Sequence, residues 1–303
     1  MEIPAEIVDA HHHLWDLSAV RYPWLTDRVD PHFMYGDYAG LRRDYGVADY
    51  RADADGLPVV ATIHCEAEAD RADPVAETRW LAARAAADGL PGALVAWVDL
   101  AAADREAVLD AHLAASDRVR GVRCKPVLPD EPGAPDPPRG GFSDPAWLAG
   151  LDTLQRRGLS WDLRVPFWYL SRAAEIVARQ PDLPVILNHC GLPWRRDAEG
   201  LAVWRAGMAA LAARPNVHVK LSELGLRDRP WRRVDNVPIL RAVLDLFGPG
   251  RCLFASNVPV SGLRVGYRDW VGAVAEAVAG CSAGERAAVF AGNARRVYRL
   301  PER

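Results

Sequence analysis

The stretch Ile7-Val-Asp-Ala-His-His-His-Leu-Trp-Asp16 decides how this chain is interpreted. Its first residues, with Glu6 before them, are typical of a buried β-strand, and its last three are typical of a loop that leaves the strand. His11 and His13 are two positions apart, so in a strand their side chains share one face, roughly 6–7 Å apart. The pattern therefore predicts two imidazoles at the C-terminal end of a first strand, aimed at one metal ion or one substrate.

The composition is that of an ordinary globular protein. Of the 303 residues, half are hydrophobic and a quarter are charged, and the formal net charge is −3. We find no Lys/Arg run that would predict nucleic-acid binding, no apolar stretch of about 18 residues that would span a membrane, and no signal-peptide pattern. The five cysteines are scattered, which fits a reducing compartment. We expect a cytoplasmic protein with a small-molecule substrate, which could form a homo-oligomer.

Short β-type runs alternate with helix-like segments along the chain. Strands are predicted at 6–13, 58–66, 92–98, 119–125, 159–165, 184–189, 216–222 and 251–257. Helices are predicted at 74–88, 102–115, 145–157, 170–180, 201–214, 237–247 and 283–298. This alternation predicts an α/β fold, a single (β/α)8 TIM barrel whose one domain covers residues 1–303. A doubly wound open sheet is disfavoured, because no Gly-rich phosphate turn follows the first strand.

Two connections are longer than plain turns. Residues 14–57 follow the first strand, and residues 126–144, dense in Pro, Gly and Asp, follow the fourth. Long loops after the strands of a barrel lie on its catalytic face. We therefore expect both loops to form walls or lids of a pocket, rather than to be tolerated insertions.

Polar residues recur near the strand ends. Side chains of a barrel strand alternate between the interior and the helix layer. The alternation places these polar residues on the interior side: Asp9, His11, His13, His64, Glu66, Arg123, Lys125, Asp162, Arg164, His189, Lys220 and Asn257. Val8, Ile63, Cys65 and Phe254 fall on the other side and are expected to pack against helices. Charge gathered at one mouth is costly unless it is paired or used, and TIM-barrel active sites lie at this mouth.

These residues carry a family resemblance that extends over nearly the whole chain. The matching pieces are residues 9–16, 21–25, 120–123, 161–163, 187–193, 216–222, 251–260 and 292–298. The chain resembles the amidohydrolase-related (amidohydrolase 2) TIM-barrel hydrolases, and among them the lactonase-like branch with the sugar-lactone and pyrone-dicarboxylate lactonases. The resemblance implies that His11, His13 and His189 face the reacting group as metal ligands or substrate clamps. It also implies that residue 257 activates water.

Residue 257 is where the chain departs from the family. The usual pattern is Ser-Asp-x-Pro, whereas this chain has Ser256-Asn-Val-Pro259. An amide can orient water, but near pH 7 it can neither accept water's proton nor neutralise a metal's charge. We therefore expect either no metal or one weakly held divalent ion, for which Zn²⁺ is a candidate. If bound, the ion would lie on His11, His13 and His189.

Because Asn257 cannot accept a proton, another residue must act as the general base. Glu66, a neutral histidine of the cluster and Asp162 are the candidates. Glu223 lies further along the seventh strand with the wrong parity, and would reach the site only if its loop turned inward.

The chemistry that this pocket suits is the opening of a cyclic ester. A lactone carbonyl needs an activated water and a positive or hydrogen-bonding partner for the developing oxyanion. Arg123, Lys125 and Arg164 could bind a substrate carboxylate, and Trp24 could line the pocket. We expect a hydrolase that opens the lactone of a small carboxylated or hydroxylated substrate. A decarboxylase of the same broad family, a non-hydrolytic cyclase or isomerase of a biosynthetic pathway, and a non-catalytic binding protein are the alternatives.

Overall fold

Eight parallel strands form one sheet, in which each strand pairs with the strand that follows it in the sequence. The structure is a computed structural model that describes residues 4–129 and 131–301. The strands are β1 Ile7–His12, β2 Val59–Cys65, β3 Ala93–Ala96, β4 Val119–Val122, β5 Ser160–Leu163, β6 Val185–Leu187, β7 Val217–Leu221 and β8 Cys252–Phe254. The backbone N–H of Asn257 donates to the His11 carbonyl at 2.7 Å, and that of His13 to the Val258 carbonyl at 2.8 Å. The segment after β8 thus joins β1, and the predicted barrel and its eight strands are confirmed. The single domain expected over residues 1–303 stays a prediction, because 1–3, 130 and 302–303 lie outside the described residues.

Helices surround the strands. They are α1 Pro23–Thr26, α2 Val47–Asp53, α3 Ala76–Asp88, α4 Arg105–Ala115, α5 Pro145–Arg156, α6 Leu170–Val177, α7 Ala198–Ala212, α8 Arg233–Phe247, α9 Tyr267–Ala277, α10 Ala283–Ala287 and α11 Asn293–Val297. A π-helical turn at Ala288–Gly292 joins the last two into one stretch. The predicted helices are all present, whereas α1, α2 and α9 were not predicted. Within the described residues, no helix has the length and apolar character needed to cross a bilayer.

The barrel interior has its own apolar cluster below the mouth. Val8, Ile63, Ile186 and Leu253, from four different strands, meet Tyr298 and other residues of the C-terminal helical stretch there. This cluster also contains Cys65. The prediction that Val8, Ile63 and Cys65 pack against the outer helices is therefore wrong, whereas Phe254 does pack in the helix-facing core, as expected. The C-terminal helical stretch therefore packs against the end of the barrel that lies opposite the mouth.

An irregularity in β1 explains the error in parity at Asp9 within that strand. Asp9 pairs with Thr62 and His12 with His64, so β1 advances three residues where β2 advances two. The extra residue is a β-bulge, which shifts the side-chain alternation along a strand. Because Cys65 faces the interior, its neighbour His64 lies on the outer face, with Nε2 3.2 Å from the Leu14 carbonyl. The prediction that His64 faces the mouth is wrong.

The bulge sends Asp9 into the helix layer. Its carboxylate accepts hydrogen bonds from Tyr50 of α2 at 2.9 Å, Tyr267 of α9 at 3.2 Å and the Ser256 hydroxyl at 2.6 Å. The prediction that Asp9 shares a face with His11 is therefore wrong. Instead, Asp9 ties β1 to two helices and to the segment that carries residue 257.

Candidate active site

A cavity of about 320 Å³ opens where the strands end. That volume is sufficient for a small ring-shaped ligand. The loop after β1 supplies one wall, with Trp24, Asp30, Phe33 and Met34 among its lining residues. The expectation for this first long loop is confirmed. None of the described residues of 126–144 lines the cavity, so the expectation that the second long loop forms a wall or lid is wrong.

The four residues expected to converge do meet at this mouth. His11 Nε2 and His13 Nε2 are 3.3 Å apart, and the rings of His11 and His189 are 4.6 Å apart between centroids. His13 Nε2 lies 3.2 Å from Asn257 Oδ1. All four side chains are buried. His13, His189 and Asn257 line the cavity, whereas His11 is not among its described lining residues and lies beneath the other two histidines.

The protons on the histidine pair follow from their partners. Burial lowers the pKa of His11 and of His13 well below the ordinary range, so each ring is neutral and carries one N–H. His13 Nδ1 lies 2.7 Å from the Cys65 carbonyl, which can only accept, so the proton is on Nδ1 and Nε2 is bare. That bare Nε2 and the Asn257 amide oxygen, 3.2 Å away, are then two acceptors in contact, which a cation between them would satisfy. His11 Nδ1 lies 3.1 Å from the Lys220 ammonium, which can only donate, so the His11 proton is on Nε2. Lys220 therefore donates to His11, and His11 donates to His13.

Beneath the histidines lies a buried ion pair that we call the floor pair, formed by Lys220 of β7 and Asp162 of β5. Both side chains are fully buried. Besides the ammonium, the Asp162 carboxylate accepts from Asn188 Nδ2 at 3.0 Å and from the Tyr298 hydroxyl at 3.1 Å. Asp162, one of the candidate bases, is thus held by three donors in the barrel interior and does not line the cavity described above.

Glu223 is the functional residue that the sequence analysis left outside the site. It follows the end of β7 and turns back with a left-handed φ of 49°. Its Oε2 lies 3.1 Å from His189 Nε2 and accepts from Asn257 Nδ2 at 2.5 Å. Its buried Oε1 has no hydrogen-bond partner in the part of the chain that the structure describes. Burial raises the pKa of Glu223 to about 7, against an ordinary value of 4.5.

Backbone strain is concentrated around this carboxylate. His189 and Asn257 each have a φ of 58°, in the same left-handed region as Glu223. For residues other than glycine this region costs about 1 kcal/mol or more each, and such strain clusters at functional sites. Three strained residues whose side chains contact one another indicate that the fold is shaped to bring these groups together.

The other predicted base, Glu66, is engaged in ion pairs. Its carboxylate accepts from Arg123 Nε at 2.8 Å and from Arg71 at 3.2 Å. Burial alone would raise the pKa of Glu66, but these two guanidinium groups lower it below its ordinary value. Glu66 is absent from the described lining residues, whereas Arg123 is one of them. The arrangement fixes Arg123 at the wall of the cavity.

Two further cations and an aromatic ring complete the wall. Lys125 pairs with Glu68. Arg164 lines the cavity and has no hydrogen bond or ion pair to any described residue, although Glu223 and Glu68 are near enough for their pKa values to be lowered by its charge. Trp24 donates Nε1–H to the Ala67 carbonyl at 2.8 Å, which fixes its ring. The sequence-predicted binding residues Arg123, Lys125, Arg164 and Trp24 are therefore all brought to one cavity.

Known proteins are similar to this chain over nearly its whole length. The sequence profile of the Amidohydrolase family (Amidohydro_2) matches residues 8–300. The chain belongs to this family. An uncharacterized protein, y4mH, of Sinorhizobium fredii is 34% identical over 97% of this chain and 98% of that protein. An L-fucono-1,5-lactonase of Burkholderia ambifaria is 30% identical over 97% of this chain and 95% of its own length.

A solved amidohydrolase structure is equally similar. The crystal structure of an amidohydrolase from Burkholderia multivorans, with bound zinc, has a TM-score of 0.79 and 30% identity, over 98% of this chain and 100% of that chain. The predicted family and the predicted enzyme class, a hydrolase, are confirmed. That related protein was crystallised with zinc bound.

Proposed function

We propose that this amidohydrolase opens a lactone ring by adding water, with Glu223 as the general base. The observation that carries the proposal is the Glu223 carboxylate, buried at the cavity with one oxygen unpartnered among the described residues. Its pKa of about 7 suits a group that takes a proton and returns it near neutral pH. The L-fucono-1,5-lactonase among the relatives supports the reaction class.

The reaction balances with water as the sole co-reactant. Glu223 Oε1 accepts a proton as the water oxygen bonds to the lactone carbonyl carbon. The ring C–O bond then breaks, and the proton passes from Glu223 to the departing ring oxygen, which gives a hydroxy acid. His189 and Asn257 hold Oε2, so the carboxylate keeps a fixed orientation throughout. This arrangement replaces the aspartate that the family usually has at position 257.

The wall cations define the substrate class that we propose. Negative charge develops on the carbonyl oxygen during attack and remains on the product carboxylate. Arg164, which is unpaired among described residues, and Lys125 are the groups we assign to that charge or to a carboxylate on the substrate. Trp24 supplies an apolar face for the ring. We infer a small lactone bearing hydroxyl or carboxylate groups.

A divalent metal is supported by the zinc-bound relative, and the residues that would hold it here are His11 and His13, whose Nε2 atoms are 3.3 Å apart, and Asn257, whose Oδ1 lies 3.2 Å from His13 Nε2. When bound, such an ion would polarise the lactone carbonyl or lower the pKa of a bound water. The steps given above are those of the chain's own residues. The expectation of no metal, or of one weakly held ion, stays a prediction.

The three alternative functions make different demands on the side chains of this cavity. The decarboxylase alternative is disfavoured because the L-fucono-1,5-lactonase among the relatives, 30% identical over 97% of this chain, supports hydrolysis instead. The binding-protein alternative assumed that the base had been lost, whereas Glu223 supplies a carboxylate. A cyclase or isomerase could use the same pocket, and it would leave the substrate mass unchanged.

The proposal is tested with a panel of sugar lactones, including L-fucono-1,5-lactone, and carboxylated lactones in ¹⁸O-labelled water. We expect a product heavier by one water that carries one ¹⁸O, with no CO₂ released. Glu223→Gln should lower kcat by about 10²–10⁴-fold. Glu199→Gln, at an exposed carboxylate of α7, serves as the matched control. Release of CO₂, or a product of unchanged mass, would overturn the lactonase proposal.

A further inference from the structure

We propose that Glu68 is a specificity-determining residue, which balances the charge of Lys125 and so fits the cavity to a lactone with a single carboxylate. This proposal rests on the lactone-opening function given above, because it concerns the substrate of the same cavity. A substrate carboxylate binds best to a cation whose charge is not already balanced by the protein. Three cations line the cavity, namely Arg123, Lys125 and Arg164, and their partners differ.

Arg123 is bound to Glu66. Its Nε donates to Glu66 Oε1 at 2.8 Å, and its Nη2 donates to the Glu66 carbonyl. Arg71 also donates to this carboxylate, at 3.2 Å, but it stacks on Trp97 and is absent from the described lining residues of the cavity. Arg123 and Glu66 are both buried, and buried charges are stable only when they are paired. Arg123 can therefore donate a hydrogen bond to a ligand, but it brings no unbalanced charge.

Lys125 is balanced by Glu68, which lines the cavity beside it. Its ammonium forms an ion pair with Glu68 Oε1. This charge holds the pKa of Glu68 well below its ordinary range, so the glutamate is ionised. Glu68 has a left-handed φ of 60°, and its backbone N–H donates to Glu66 Oε2 at 2.9 Å. Such backbone strain clusters at functional sites, and here it holds a carboxylate at the cavity wall.

Arg164 is the remaining cation. It lines the cavity and has neither a hydrogen bond nor an ion pair within the described parts of the chain. A guanidinium binds a carboxylate through two parallel hydrogen bonds, so one substrate carboxylate fits Arg164. Lys125 keeps N–H groups that can donate to the developing oxyanion, but a second substrate carboxylate placed there would meet the like charge of Glu68. The cavity therefore favours a monocarboxylate over a dicarboxylate.

Ring compounds that cannot be hydrolysed test the proposal without turnover. Tetrahydrofuran-2-carboxylate has a lactone-sized ring with one carboxylate, and cis-tetrahydrofuran-2,5-dicarboxylate has the same ring with two. Isothermal titration calorimetry measures the Kd of each compound for the wild type and for the variants. We expect the wild type to bind the monocarboxylate at least about tenfold more tightly than the dicarboxylate, the scale of one hydrogen bond between charged groups.

The decisive variant is Glu68→Gln, which leaves Lys125 free to bind an anion. The affinity for the dicarboxylate, relative to the monocarboxylate, should rise about tenfold. Glu68→Gln/Lys125→Met removes the freed cation and should return this ratio to that of the wild type. Glu106→Gln is the matched control, because Glu106 is an exposed glutamate of α4 in ion pairs with Arg156 and Arg157. It should leave both affinities unchanged.

Asp30→Asn separates the effect of the ion pair from that of charge in general. Asp30 lines the same cavity and pairs with no cation among the residues described, so its loss should change the ratio by less than about threefold. Equal changes in Asp30→Asn and Glu68→Gln, or an unchanged ratio in Glu68→Gln, would overturn the proposal.

The wild type alone can also overturn the proposal, by failing to bind the monocarboxylate or by binding the dicarboxylate as tightly. Because neither compound is hydrolysed, the outcome does not depend on turnover. Selective binding of the monocarboxylate by a protein that opens no lactone would count against the proposed function and leave the role of Glu68 in place.

Discussion

The floor and the mouth of this barrel are both built from buried polar side chains, but their two carboxylates differ in how well they are satisfied. On the floor, the Asp162 carboxylate accepts from Lys220, Asn188 and Tyr298. At the mouth, Glu223 keeps one buried oxygen without a described partner and has left-handed backbone. Satisfied buried networks rigidify a structure, whereas strained and unpaired groups indicate a site that acts on something else. The comparison assigns support to the floor and chemistry to the mouth.

The two layers are joined by the histidines. Lys220 of the floor donates to His11, and His11 contacts both His13 and His189 of the mouth. The floor therefore contacts the mouth through His11. Changes at the mouth should act on rate, and changes at the floor should act first on stability.

The largest expected effect is at the mouth, in Glu223→Gln. Loss of a general base costs about 10²–10⁴-fold in kcat, and the amide keeps nearly the same shape. We expect this loss with a melting temperature close to that of the wild type. Glu199→Gln, at an exposed carboxylate, should leave both quantities unchanged. Full activity in Glu223→Gln would remove Glu223 from the mechanism.

The largest expected effect on the floor is a loss of stability in Lys220→Met. Breaking a buried ion pair leaves an uncompensated charge and costs about 3–5 kcal/mol in the free energy of unfolding. The double variant Lys220→Met/Asp162→Asn removes both charges and should recover part of that loss. Denaturant unfolding of the three proteins measures the difference. A single variant as stable as the wild type would contradict the role assigned to the floor pair.

A smaller effect is expected at the wall, in Arg164→Gln. A hydrogen bond to a charged group contributes about 1.5–3 kcal/mol, which corresponds to about a tenfold to hundredfold rise in KM if Arg164 binds a substrate carboxylate. Steady-state kinetics on a carboxylated and an uncharged lactone separates the two roles. A rise in KM confined to the carboxylated substrate supports carboxylate binding, and an equal fall in kcat for both supports oxyanion stabilisation. Unchanged kinetics on both would exclude Arg164 from the site.

The smallest expected effect is a shift of the pH profile in Asn257→Asp. The new carboxylate would lie beside Glu223 Oε2, and a neighbouring like charge raises the pKa of a carboxyl group. We expect the alkaline plateau of kcat/KM to begin at higher pH than in the wild type. A profile displaced toward lower pH would contradict the placement of the two side chains.

The sequence predicted the barrel and much of its mouth for reasons that the structure makes clear. Hydrophobic runs and turn signals located every strand, because periodicity is a local property of the chain. Helix α9 was missed although Tyr267, Trp270, Val271 and Val274 are buried at helical spacing, which is a signal present in the sequence.

The errors in the predicted site have two physical origins, irregular backbone and ion pairs between distant residues. Alternation fails at the β1 bulge, which places Asp9 in the helix layer, and it ceases to apply past β7, where Glu223 turns inward through left-handed backbone. Nor could the sequence reveal which carboxylates are neutralised by ion pairs. Glu66 and Asp162 were equal candidates with the histidines until their partners Arg123 and Lys220 were located.

The central claim, that Glu223 is the base of a hydrolytic reaction, is tested most directly by the pH dependence of kcat/KM for the wild-type enzyme. Burial raises the pKa of Glu223 to about 7, and only the deprotonated carboxylate can accept a proton from water. We expect kcat/KM to fall about tenfold for each pH unit below that value and to level off above it. A flat profile between pH 5 and pH 8, or one that falls as pH rises through this range, would contradict the account.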